Sequence, residues 1–125
     1  VHSIPYIECS RLLEGEKTIC IDFRKNKWQR IRFPDGHDNL YALDINTDQF
    51  APFYRNGTLL ILSQESEIRR GDRIAVFMSD NSIVIREFAH RTATTLELKD
   101  VLSADKTSVN VEDIRIVHRI VWASQ

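Results

Sequence analysis

Residues 41–77 read YALDINTDQFAPFYRNGTLLILSQESEIRRGDRIAVF, in which short apolar runs alternate with turn chemistry. The run 40–45 ends in the turn Thr47-Asp48-Gln49-Phe50-Ala51-Pro52. Asn56-Gly57 then supplies a residue suited to positive φ before a second run at 58–62, and Arg70-Gly71-Asp72 precedes a third at 73–78. Outward from this stretch the texture continues, with strand-like runs at 19–23, 83–89, 95–99 and 114–122. Pro34-Asp35-Gly36 marks a turn, and Asp80-Asn81 is placed to close a hairpin. No stretch sustains a 3.6-residue apolar period over the roughly 10 residues of a typical helix, so a mainly β domain of short twisted sheets and hairpins is expected. Residues 102–113 carry little pattern and read as a long loop. In the last run, period-2 alternation puts Ile114, Ile116, His118, Ile120 and Trp122 on one face, and Arg115, Val117, Arg119 and Val121 on the other.

A chain of 125 residues is long enough for one core, so residues 1–125 are read as a single domain. Seventeen basic residues balance 18 acidic ones, which excludes the strong positive field of a domain that holds nucleic acid by itself. The basic stretch 24–32, RKNKWQRIR, has five positive charges around Trp28. In a near-neutral domain it reads as a solvated loop or edge strand rather than a nucleic-acid contact. The longest apolar run, 74–78, falls far short of the roughly 20 residues of a membrane helix. No apolar signal segment opens the chain, so a cytoplasmic protein without membrane contact is expected. Cys9 and Cys20 lack metal-ligand spacing and read as reduced, semi-buried thiols. His2, His37, His90 and His118 are scattered, and no nucleophile elbow, zinc-binding helix or phosphate loop occurs, so neither metal nor cofactor is expected.

The order of turns in 41–77 resembles the serine-peptidase domain of the LexA and phage-repressor type. There the first turn reads Gly-Asp-Ser-Met, followed closely by proline. Here Gln49 stands at the serine's position. That family's lysine base sits on a later strand flanked by apolar residues, which matches Ile83-Val84-Ile85-Arg86-Glu87-Phe88. Arg86 follows Gln49 by 37 positions, close to the family's dyad spacing, and so takes the lysine's place. A Ser/Lys dyad needs a lysine desolvated enough to lose its proton. A guanidinium does not deprotonate inside a protein, and an amide is not a nucleophile. Gln49 and Arg86 are therefore expected to hydrogen-bond each other or Asp48. The Ala-Gly or Cys-Gly bond that such relatives cut is also missing, since the glycines follow Glu14, Asp35, Asn56 and Arg70.

The closing segment, His118 to Gln125, reads HRIVWASQ and resembles the end of helix-turn-helix regulators with a LexA-like C-terminal domain. The resemblance implies a LexA-like, signal-peptidase-like β-rich fold. Residues 1–39 would then be the former cleavage-loop region and 40–125 the peptidase-like core, with a DNA-binding domain expected upstream of Val1. It further implies a non-catalytic, dimerising regulatory domain of a repressor-like regulator that meets DNA through that missing domain. Ile116, Ile120 and Trp122 are either the dimer contact or simply core. Two alternatives remain open: a self-cleaving peptidase with a displaced nucleophile, Ser10 or Ser63, and a module that docks an antirepressor protein in the old peptide cleft.

Overall fold

The computed structural model describes residues 2–10, 29–33, 40–48, 50, 54–64, 67–100, 102–103 and 105–124. Turn chemistry sets its hairpins. Asn81 takes φ 71° at the tip between β5 (Arg73–Met78) and β6 (Ile83–Arg91), where the Met78 amide donates to the Ser82 carbonyl. Gly57, at φ 99°, leads into β4 (Thr58–Ser63), which runs antiparallel to β3 (Leu40–Ile45). Gly71, at φ 95°, enters β5, and the neighbouring Asp72 accepts from the Arg69 amide and pairs with Arg119 at 3.4 Å. The remaining strands are β1 (His2–Glu8), β2 (Gln29–Phe33), β7 (Thr95–Lys99), β8 (Lys106–Asn110) and β9 (Ile114–Ala123).

All nine form one sheet in the order β2-β1-β3-β4-β9-β5-β6-β7-β8. The expectation of a mainly β domain therefore holds. β1 pairs with β3 in parallel and every other pairing is antiparallel. The last strand is inserted between β4 and β5, which do not pair with each other. At the far end the sheet curls: the Val111 amide donates to Thr94 and the Ser79 amide to Asp113, so a single 3-10 turn at Val111–Asp113 ties two hairpin tips together.

Residues 102–113 are not the unpatterned loop expected from the sequence. They contain β8, whose polar KTSVN is held by its ladder to β7, and the 3-10 turn. β1 was not expected either. The 24–32 stretch enters the edge strand β2 (Gln29–Phe33) at Gln29, in line with the edge reading, whereas 24–28 and the run 19–23 lie outside the described residues.

Both faces of the sheet are apolar. One carries a continuous cluster of Tyr41, Leu43, Ile45, Leu60, Leu62, Ala75, Phe77, Ile83 and Ile85, against which Ile7, Cys9 and Tyr54 also pack. The other carries two smaller clusters, Ile4, Leu40, Ala42 and Ile61 at one end, and Ile74, Val76, Leu96 and Leu98 at the other. This two-sided burial explains why β3 and β4 read as near-continuous apolar runs rather than strict alternations. Each fully buried Leu or Ile contributes roughly 1.5–3 kcal/mol of transfer free energy.

Candidate functional site

The strand β3 delivers the chain into the turn that resembles a nucleophile turn. At its end Asn46 forms a polar clasp with β1: its side-chain amide donates to Glu8 at 3.0 Å and to the Ser10 hydroxyl at 2.8 Å, while its carbonyl accepts from the Ser10 amide at 2.9 Å. Tyr6 donates to Asp44 beside this clasp. Desolvation, with further contributions from Asp44 and Glu8, pushes the Tyr6 hydroxyl up to about 12. Burial likewise pushes the Cys9 thiol up to about 12; Cys9 is a free thiol, as expected, but fully rather than semi-buried, and Cys20 lies outside the described residues. The ladder and the clasp thus fix both sides of the entry to the turn. Beyond it, Phe50 and Tyr54 pack on the Tyr41 cluster, and the Tyr54 amide closes on the Phe50 carbonyl at 3.0 Å.

Of the two residues expected at the dyad positions, Gln49 lies outside the described residues. Arg86 lies on β6 opposite Ile74 and shares its face with Val84 and Phe88 in the Ile74 and Val76 cluster. Its guanidinium donates to the Ile85 carbonyl at 2.8 Å and stands 3.9 Å from the Asp100 carboxylate. Asp48 is exposed and makes no bond to Arg86, so of the two expected partners this one is not used. Arg86 is a half-exposed cation with a carboxylate neighbour, which is the opposite of a desolvated base.

The Ser10 hydroxyl is occupied by the Asn46 amide, and Ser63 is buried in β4. Among the described residues no group of three or more His, Cys, Asp or Glu side chains could hold a metal ion. A groove of about 560 Å³ along β6, β7 and β8 mixes Arg70, Lys99 and Lys106 with Glu87 and Glu97, so no single charge converges in it.

A buried pair in the core has no signal in the residue pattern. Tyr41 on β3 and His118 on β9, 77 positions apart, meet at 2.6 Å between the hydroxyl and Nδ1. The ring of His118 also lies edge-on to Tyr41 and to Phe77, with centroids 5.4 and 5.7 Å away. Its Nε2 is fully buried without a hydrogen-bond partner among the described residues. Burial holds His118 down at about 4, so it is neutral near pH 7.

The expected single apolar face of β9 is broken by two bulges. One falls opposite Phe77 and Met78, and turns Ile114 to the Ile74 side with Val117. The other falls opposite Ile61 and Leu62, and pairs Trp122 with Ile61 while Ile120 pairs with Leu62. Ile116 and Ile120 therefore pack, half-buried, on the Tyr41 cluster, whereas Trp122 emerges on the other face, 46% exposed beside Val121 at 39%. The structure brings Ile116 and Ile120 together and leaves Trp122 apart from them.

The β-rich fold is consistent with that of LexA-like domains. A family model described as Peptidase S24-like matches residues 13–121, and the chain belongs to that family, that of LexA and phage repressors. The family includes both repressors and self-cleaving peptidases. Comparison with curated proteins gives no match. Among the described residues no helix is long and apolar enough to cross a membrane.

Proposed function

We propose that this chain is the non-catalytic, dimerising regulatory domain of a repressor-like, DNA-binding transcriptional regulator of the cytoplasm. The observation that carries the reading is the chemistry of the dyad positions within a Peptidase S24-like frame: an amide at Gln49 and a permanently charged guanidinium at Arg86. Arg86 supports it further by standing beside Asp100 rather than in an apolar pocket. The near-zero net charge of the domain leaves DNA contact to another part of the protein. Dimerisation through the end of β9 is supported by the adjoining exposed side chains of Val121 and Trp122, apolar surface of the kind that marks an interface.

The test is the mass of the chain in solution across a concentration series, with an aliquot held at alkaline pH and examined by intact-mass spectrometry. The reading expects a reversible dimer, weakened by Trp122→Asp, and no fragments. Specific fragments would restore the peptidase reading, and a strict monomer at every concentration would remove the dimer.

A further inference from the structure

The side chain of Leu102 is 62% exposed, the largest exposure of any large apolar side chain among the described residues. It stands at the tip of the β7–β8 hairpin, and that tip is built rather than loose. The Asp100 carboxylate accepts from the Leu102 and Ser103 amides at 2.8 and 3.0 Å. The Asp100 amide donates to the Asp105 carbonyl at 2.7 Å, and the Ser103 hydroxyl to the Asp105 carboxylate at 3.0 Å. The Ser103 and Leu102 amides hold the Asp100 carboxyl below the usual carboxylate range. Leu102 is thus a pre-ordered apolar knob between two carboxylates, and little further ordering is needed when it docks.

The opposite end of the same hairpin carries a matching cavity. It has a volume of about 260 Å³ and is walled by Ile68, Leu96, Val111, Ile114 and Val117. Typical drug-sized ligand pockets begin at roughly 300 Å³, so this one suits a single aliphatic side chain. The charged residues that line it are Arg91 and Arg115, and none of its described lining residues is acidic. Arg115 is tied to the Ser79 carbonyl and the Asn81 side chain. The Arg91 side chain carries no hydrogen bond or ion pair to a described residue.

We propose that Leu102 of one copy of this chain seats in the Ile68, Leu96 and Ile114 cavity of a second copy, with Asp105 and Asp100 facing Arg91 and Arg115. A molecule cannot fill its own cavity this way, because knob and cavity lie at opposite ends of β7, whose five residues span about 16 Å. The contact joins two different surfaces, so it runs head to tail and closes into a ring or extends into a chain. It goes beyond a two-fold dimer at β9, which uses other residues.

Sedimentation of the chain over a rising concentration series tests it. The wild-type chain forms species whose proportion falls about tenfold or more in Leu102→Asp, since an apolar anchor becomes a charge. Arg91→Glu weakens the same step, and adding Asp105→Lys to Arg91→Glu restores it. Leu102, Arg91 and Asp105 are all exposed, and circular dichroism checks that each variant stays folded. Trp122→Asp leaves the Leu102-dependent step in place even where it abolishes a β9 dimer, so the two contacts fail separately. Equal self-association of wild type and Leu102→Asp overturns the proposal, as does sensitivity to Leu102→Asp with none to Arg91→Glu.

Discussion

Acidification should destabilise this domain through one buried side chain, His118. Desolvation lowers its pKa from 6.5 in the free chain to about 4 in the fold. Its neighbours are the Tyr41 hydroxyl and the rings of Tyr41 and Phe77, none of which bears a compensating negative charge at neutral pH. The unfolded chain therefore takes up the proton first. Stability is fully present above 6.5, is lost as pH falls through the interval down to about 4, and loses nothing more from this group below that. One pH unit in this interval is worth about 1.4 kcal/mol, so the interval amounts to about 3 kcal/mol. A typical domain has roughly 5–15 kcal/mol in total, so the effect is a large fraction of what holds it folded. Urea unfolding followed by tryptophan fluorescence, repeated from about pH 7 to about pH 4, reads the slope directly. The comparison is with His118→Leu, which fills the site with an apolar group and removes the titration. Absolute stabilities will differ because the Tyr41 bond is lost as well, but carboxylates contribute alike to both proteins. The difference in stability between the two should change by about 3 kcal/mol across the interval. A constant difference would refute the buried, neutral histidine.

Three other outcomes are expected. Gln49→Ser alone should give no self-cleavage during alkaline incubation, because Arg86 still cannot take the serine proton; fragments in the intact-mass spectrum would show otherwise. Asn46→Leu should cost about 1–3 kcal/mol in urea unfolding by leaving Glu8 and the Ser10 amide without their partner. In the native state Cys9 should resist a thiol reagent near pH 8 and react once urea unfolds the chain, as peptide mapping would report.

The strands from β3 to β7 were legible because each is bounded by turn residues that act locally, Asn56-Gly57, Gly71 and Asn81 among them, and each buries an apolar run. β1 was not, because Pro5 interrupts it; the parallel ladder to β3 starts only at Tyr6, just beyond that proline. β8 has a single apolar residue, Val109, too little for an alternating signal, and its form is imposed by pairing with β7 and by the turn at Val111–Asp113. On β9 the alternation holds from Ile116 to Ile120 and fails at both ends, since a bulge is a property of two strands and cannot be read from one. For the same reason the Tyr41–His118 pair and the Asn46 clasp stayed hidden, as they join residues 77 and 36–38 positions apart. That residue 49 is an amide and residue 86 a guanidinium is legible in the sequence as residue type, whereas their standing at dyad positions is part of the proposal.

The position of β9 also fixes when the fold can be completed. The strands β3 and β4 on one side and β5 to β8 on the other have no ladder between them until β9 is laid in. On a ribosome the earlier strands would be made as two hairpin-built halves, each with an open inner edge, and would wait for the last strand to emerge. The closing step is then a late, long-range event with a high loop-closure cost, and a chain cut before Ile114 would expose both inner edges at once. Loss of this strand would leave two aggregation-prone sheets rather than a slightly shorter domain.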